Sequence, residues 1–163
     1  MDFEKMRGKQ VLLLGLGLGS VIQLLDAEKQ NFYFTAVELD EEIIRLAEKY
    51  ILHNLDTPIN IISADALTYV KLAQEKFDLI CMDIFIDDVV PDQFKTKEFC
   101  ELLNNLLAES GTLVYNCPAF NRASSDNSKD FFENSFKKVF PEGKNLHIHK
   151  NYMLLNNGYL LEE

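Results

Sequence analysis

The chain has 163 residues, of which 47% are hydrophobic and 26% charged, with seven glycines, so it suits a single soluble domain over residues 1–163 with room for a core. Sixteen lysines and arginines against 26 aspartates and glutamates give a net charge of −10. That sign repels phosphate backbones and anionic lipid, no basic cluster offsets it, and no apolar run reaches the eighteen or so residues of a membrane span, so neither nucleic acid nor membrane is an expected partner. Cys81, Cys100 and Cys117 form no C-x-x-C pair, which fits isolated reduced thiols in a cytoplasmic protein and no metal site. Lys5, Arg7 and Lys9 ahead of Val11–Leu25 imitate the start of a signal peptide, but Asp2, Glu4, the alternating glycines and the lack of a small-x-small cleavage site argue against export.

Along the chain, short apolar runs alternate with helical periodicity, the pattern of an α/β domain with a mostly parallel sheet. Val11–Leu14 reads as a strand covered on both faces, ending in Gly15, Gly17 and Gly19, and a helix follows through Val21, Ile22, Leu24 and Leu25. Phe32–Glu38 is the expected second strand, and Asp40 caps a helix with Glu41 and Glu42 in its first turn. Ile59–Ser63 is the third strand, Asp65–Glu75 a shorter helix, Phe77–Met82 a fourth strand running to Asp83, and 84–91 a loop. Phe99, Leu102, Leu103, Leu106 and Leu107 predict a helix that Gly111 stops, before a fifth strand over Thr112–Cys117. Phe132, Phe136, Val139 and Phe140 mark the last helix. Asn157-Gly158 predicts a type I′ hairpin between a strand within Leu146–Leu155 and a short one over Tyr159–Glu163.

Ligands of such sheets bind outside the carboxyl ends of the strands, so the strand ends hold the informative residues. Gly15, Gly17 and Gly19 allow a tight turn and close backbone approach to a ligand, or simply pack a helix on a strand. Ser20 breaks the dinucleotide pattern G-x-G-x-x-G from Gly15. Glu38 is placed to accept bonds from two vicinal ribose hydroxyls, which NAD and S-adenosylmethionine share. Asp65 with Ala66, read as a plain helix cap when taken alone, joins Glu38 and Asp83 in a row suited to a nucleoside, with a carboxylate for the exocyclic amine of adenine. Asp83, Asp87, Asp88 and Asp92 form an acidic region that could attract a cationic amine and supply a base, or be a solvated loop; Asp83, at the strand end, and Asp87 are the catalytic candidates. Asn116-Cys-Pro-Ala-Phe120 reads as a loop. His147 and His149, two apart on a presumed strand, lack a third metal ligand nearby.

Val11–Gly19, then Ala36-Val-Glu-Leu-Asp-Glu-Glu-Ile-Ile-Arg-Leu-Ala-Glu-Lys-Tyr50, Ser63-Ala-Asp-Ala66 and Phe77-Asp-Leu-Ile-Cys-Met-Asp83 resemble the successive motifs of class I S-adenosylmethionine-dependent methyltransferases, and more narrowly their spermidine synthase-like branch. The resemblance spans about Val11 to Asn116. It implies a Rossmann-like methyltransferase fold, with a mostly parallel seven-stranded sheet, an antiparallel last strand and helices on both faces. It also implies S-adenosylmethionine as cofactor, held at Gly15, Gly17, Gly19, Glu38, Asp65 and Ala66.

Three departures separate the chain from aminopropyltransferases. Leu18 stands where that group has an acid in the glycine turn, Asp87 lies one position later than the second acid of its D-x-x-D loop, and ten residues precede the first strand where an N-terminal β-rich domain is usual. The leading expectation is therefore a methyltransferase acting on a small-molecule acceptor such as an amine. Aminopropyl transfer, an NAD-binding oxidoreductase and a non-catalytic binding or oligomerisation module are the alternatives, and a homodimer is left open.

Overall fold

The computed structural model describes residues 2–6, 8–55 and 57–161. Seven strands form one sheet: β1 Gln10–Leu14, β2 Tyr33–Glu38, β3 Ile59–Ser63, β4 Phe77–Met82, β5 Leu107–Pro118, β6 Lys144–Ile148 and β7 Asn151–Leu155, in the order β3-β2-β1-β4-β5-β7-β6. The pairs among β1 to β5 are parallel, and β7 runs antiparallel to both β5 and β6. After β3 the chain returns across β1 to start β4, so the carboxyl ends of β1 and β4 flank the point where strand order reverses.

The period-2 alternation of the strands sorts their side chains to two covers. Leu12, Leu14, Ile80, Met82, Leu113 and Tyr115 point to the face packed by α3 (Ala66–Leu72), α4 (Lys97–Leu106) and α5 (Arg122–Phe131). Val11, Leu13, Phe34, Ala36 and Leu79 point to the opposite face, covered by α1 (Ser20–Asp26) and α2 (Glu41–Tyr50). The expected sheet with helices on both faces is thus present. Helix starts follow local chemistry: Asp40, Asp65, Thr96 and Asn121 each accept a backbone N–H from the first turn of α2, α3, α4 and α5.

Several local expectations change. The hairpin turns at His149 and Lys150, not at Asn157-Gly158; His149 takes the left-handed conformation (φ 53°), and Ile148 pairs with Asn151 across the two-residue turn. Neither Asn157 nor Gly158 has the positive φ that a type I′ turn requires. Their stretch does other work: Asn156 accepts from the Leu113 N–H (2.8 Å) and donates to the Gly111 carbonyl (3.0 Å), while Asn157 accepts from the Tyr159 N–H (2.9 Å), so side-chain amides tie this segment to β5. Tyr159–Leu161 form a turn rather than a strand, and Glu162 and Glu163 of the expected strand lie outside the described residues.

Gly111 does not stop α4, which ends at Leu106. It lies inside β5 at an irregularity, where Phe77 pairs with Leu107 but Leu79 pairs with Thr112. A Cβ on Gly111 would sit 2.8 Å from the Phe77 carbonyl oxygen, so the close approach of the two backbones explains the residue better than a helix end does. Asn116–Pro118 belong to β5 as well, not to a loop. The last helix also differs in form: α5 passes through a π-helical turn at Phe132–Phe136 into a final turn at Lys137–Val139, and Phe136 packs there against Tyr115, Phe131 and Phe140.

Candidate functional site

A cavity of about 550 Å³ opens at the carboxyl edge of β1 to β4. Gly15, Gly17, Glu38, Asp65, Ala66 and Asp83 all line it, so six of the eight residues singled out from sequence meet in one place. Gly15 (φ 91°) and Gly17 (φ 51°) are both left-handed, but for different reasons. A Cβ on Gly15 would lie 2.4 Å from the Asp83 carbonyl oxygen, so its bareness lets β1 and β4 end side by side. A Cβ on Gly17 would meet nothing within 4 Å, which leaves backbone exposed to the cavity.

Gly19 (φ 87°) does not line the cavity. It precedes α1, and a Cβ there would press on Leu52 at 2.8 Å, so its role in this structure is to seat the helix. Asp87 lies outside as well, left-handed (φ 53°) and exposed, in a turn closed by reciprocal backbone bonds between Ile86 and Val89.

The carboxylates are held by fixed donors. Glu38 Oε2 accepts from the Leu16 N–H (3.0 Å), and Oε1 from the N–H groups of Leu39 (2.9 Å) and Asp40 (3.1 Å). An ionised carboxylate offers about four acceptor positions, so roughly one remains for a ligand hydroxyl, and a two-pronged grip on a ribose requires a loop donor to share its oxygen. Asp65 Oδ1 takes both the N–H and the hydroxyl of Thr68 at 2.8 Å; Oδ2 accepts nothing among the described residues. Asp65 is therefore a helix cap and a wall of the cavity at once.

Asp83 is positioned by two strands. Its N–H donates to the Leu14 carbonyl (2.8 Å), and its Oδ1 accepts from the Asn116 amide (2.9 Å). Sequence reasoning gave Asn116 no role in holding an acid. The signal was available in the parallel register of β4 and β5, where Met82 faces Tyr115 and places the next residues, Asp83 and Asn116, together. The Asn116 Oδ1 is buried without a partner among the described residues, so the side-chain bond this amide makes among them is the one to the Asp83 carboxylate. Behind them, burial and then the Asp83 charge push the Cys81 thiol up to about 12.

Asp40 and Gln93 are the further polar residues of the wall, and most of the rest is apolar, with Val37, Leu39, Ile43, Ile84, Phe85 and Phe94. Phe94 is fixed from beneath, since the buried Tyr115 hydroxyl donates to its carbonyl at 2.7 Å. Of the acidic region, Asp92 is solvated and paired with Lys95 at 2.9 Å. His147 packs at a tilt against Tyr152 (ring centroids 4.8 Å apart, planes at 37°) and His149 sits in the hairpin turn. Among the described residues no three His, Cys, Asp or Glu side chains gather as a metal site, and no helix is long and apolar enough to cross a membrane.

Comparison with known proteins matches residues 2–155 to the spermine/spermidine synthase domain. A polyamine aminopropyltransferase of Vibrio vulnificus is 29% identical over 143 residues, covering 86% of this chain and 46% of that protein. One from Saccharolobus solfataricus is 33% identical, over 65% of this chain and 38% of its own length. The chain thus spans about half or less of the curated relatives it matches. Among solved structures, human methyltransferase-like protein 13 in complex with SAH superposes with a TM-score of 0.79 at 21% identity, over 95% of this chain and 74% of that one. A probable spermidine synthase from Corynebacterium glutamicum gives 0.75 at 24%, over 90% and 55%. At these identities the two structures speak for the fold alone.

Proposed function

We propose, from the premise that this chain belongs to the spermine/spermidine synthase domain family, that its 163 residues act as one nucleoside-binding transferase domain that moves an aminopropyl group from decarboxylated S-adenosylmethionine to an amine. The observation that carries this reading is the convergence of Gly15, Gly17, Glu38, Asp65 and Asp83 on one cavity. The sequence alone favoured methyl transfer from S-adenosylmethionine; the relatives named polyamine aminopropyltransferase support aminopropyl transfer better.

The cavity fits an adenosine. Gly17 leaves space beside exposed backbone, Glu38 presents a fixed carboxylate to ribose hydroxyls, and Val37, Leu39 and Ile43 give a planar base apolar walls. Asp65 Oδ2 is available to the exocyclic amine. When bound, a sulfonium nucleoside supplies an electrophilic carbon whose C–S electron pair leaves on sulfur as a neutral thioether.

Asp83 accepts a proton from the acceptor ammonium, freeing the nitrogen lone pair for attack, and Asn116 keeps that carboxylate turned toward the cavity. The protein's remaining contribution is alignment of acceptor and donor for in-line displacement. Asp87, outside the cavity, acts at longer range by drawing in a cation.

Methyl transfer remains the second reading, since an adenosine pocket suits either donor; Leu18, half exposed in the glycine turn where an acid would hold the amino group that both donors carry, does not separate them. Incubating the protein with an amine panel and each donor in turn separates them. Aminopropylated product from decarboxylated S-adenosylmethionine supports the first reading, and methylated product from S-adenosylmethionine alone replaces it with the second.

A further inference from the structure

Residues 84–95 form a partition after β4: Ile84, Phe85, Ile86 and Phe94 line the nucleoside cavity, while Asp88, Val90 and Lys95 line a neighbouring one at the end of β5. Its tip is tied to itself. Ile86 and Val89 exchange backbone bonds of 3.0 and 3.2 Å, and both side chains are exposed. The two ends, by contrast, are tied to β5 by consecutive residues. At the start the Asn116 amide donates to Asp83 Oδ1, and at the far end the Tyr115 hydroxyl donates to the Phe94 carbonyl at 2.7 Å. Successive side chains on a strand point to opposite faces, so one strand end reaches two parts of the same wall.

Tyr115 is fully buried, and its ring packs on Phe131 and Phe136 with centroids 5.1 and 6.3 Å away. Burial pushes its hydroxyl up well above the ordinary 10, so it stays a proton donor. Phe94 is 3% exposed, and its carbonyl accepts no other hydrogen bond among the described residues. The turn Asp92–Phe94 has bonds of its own, from the Phe94 N–H to the Pro91 carbonyl and from the Lys95 N–H to the Asp92 carbonyl, both 3.0 Å. These shape the turn without attaching it to the sheet. The Phe94 ring also meets Phe99 at 4.9 Å, but apolar contact is not directional and fixes the backbone less closely than a hydrogen bond. From this turn Gln93 and Phe94 face the cavity.

We propose that Tyr115 is a positioning residue for the nucleoside: its hydroxyl holds the Asp92–Phe94 turn so that Gln93 and Phe94 stand as cavity wall before a ligand arrives. The proposal rests on the nucleoside reading of the first cavity. β5 then divides the work between neighbours, Tyr115 acting on donor affinity and Asn116, through Asp83, on the rate of transfer. A wall already in place costs the ligand nothing to order. Without the hydroxyl the turn samples other positions, and apparent affinity falls in proportion to the fraction of molecules with the wall formed.

Tyr115→Phe removes the hydroxyl and keeps the ring. Calorimetric titration of 5′-methylthioadenosine should show affinity weakened about tenfold, as when one molecule in about ten has the wall formed. Steady-state rates with decarboxylated S-adenosylmethionine should show a donor KM raised by a similar factor and kcat within about twofold of wild type. Asn116→Ala should do the reverse, with kcat about tenfold lower and nucleoside affinity within about twofold. Asp92→Asn, which removes only the solvated charge paired with Lys95 on the same turn, should change neither. Amide hydrogen exchange over residues 92–95 should be slow in wild type before any nucleoside is added, and faster in Tyr115→Phe.

A Tyr115→Phe protein with a lower urea midpoint but unchanged nucleoside affinity reduces the hydroxyl to packing and overturns the proposal. Free exchange of the turn in unliganded wild type overturns it as well, and that result needs no variant to fold. The nucleoside arm keeps the two readings apart. Binding that Tyr115→Phe leaves intact removes the positioning role alone, whereas no binding of 5′-methylthioadenosine by wild type removes the nucleoside reading and this role with it.

Discussion

The two cavities along the carboxyl edge of the sheet are built by opposite means. Around the first, charge sits on short side chains fixed by neighbours: Glu38 by three backbone N–H groups, Asp65 by Thr68, Asp83 by Asn116. Around the second, of about 640 Å³ beside the end of β5, charge sits on exposed Asp88 and on long lysines supplied by segments 55 residues apart, Lys95 and Lys150. A carboxylate held by backbone donors needs little rearrangement to meet a ligand, as suits a site that aligns a reactive carbon. Lysine ammoniums on flexible stems tolerate ligands of different length. The difference sets a preorganised first cavity against a more adaptable second one.

That contrast can be broken from its strong end first. Asp83→Asn should lower transfer by roughly 10²–10⁴, the usual worth of a positioned base, with the urea midpoint close to wild type; Asp87→Asn, in its exposed turn, should stay within about tenfold. Steady-state rates with decarboxylated S-adenosylmethionine decide it, and equal losses in the two variants would remove the distinction between strand-end and loop acids.

Gly15→Val should cost about 3 kcal/mol or more in urea denaturation, because a branched side chain at φ 91° would strike the Asp83 carbonyl. Gly17→Ala, in open space at φ 51°, should cost only about 1 kcal/mol in stability and act mainly on nucleoside affinity. Asn116→Ala should slow transfer about tenfold by freeing the Asp83 carboxylate, and Asn116→Gln should not restore the rate, since its longer chain moves the amide.

The smallest effect at neutral pH concerns the thiols behind the site. Burial pushes Cys81 and Cys100 up to about 12 from an ordinary 9.0. Between those values the folded state holds protons that the unfolded state has lost, so this contribution to stability is complete below pH 9 and is lost as pH rises toward 12. Urea midpoints should be flat in this respect from pH 7 to 8.5 and fall above pH 9, and native protein should resist alkylation at pH 8. Rapid alkylation of Cys100 in the folded state would contradict its burial in the core.

The legibility of the two cavities in sequence follows from the same contrast. Short acids and glycines at the ends of continuous apolar runs announce themselves, because a buried parallel strand has a readable length and its carboxyl end is where function gathers. Hence Gly15, Glu38, Asp65 and Asp83 could be named before their geometry was known, and the seven-stranded sheet with an antiparallel member could be expected. Asn116 was hidden because a polar residue in the run Val114–Cys117 looks like the end of a strand unless the register with β4 is known.

The second cavity was hidden more deeply. Its residues come from the partition after β4, the end of β5, α5 and a hairpin tip, and only tertiary packing joins them. The hairpin itself was misplaced because Asn157-Gly158 has the composition of a tight turn while Asn156 and Asn157 spend their amides on β5 and on Tyr159; His149, an ordinary residue in a left-handed conformation, makes the turn instead.

The central claim is that the first cavity binds a sulfonium nucleoside through Glu38. Calorimetric titration of 5′-methylthioadenosine, with NADH as the competitor chemistry, into wild type and Glu38→Gln tests it most directly. Saturable binding at one site per chain, weakened about tenfold or more in the variant and absent for NADH, is the result expected. Tight NADH binding with no binding of the thioether nucleoside, or nucleoside affinity indifferent to Glu38, would contradict it.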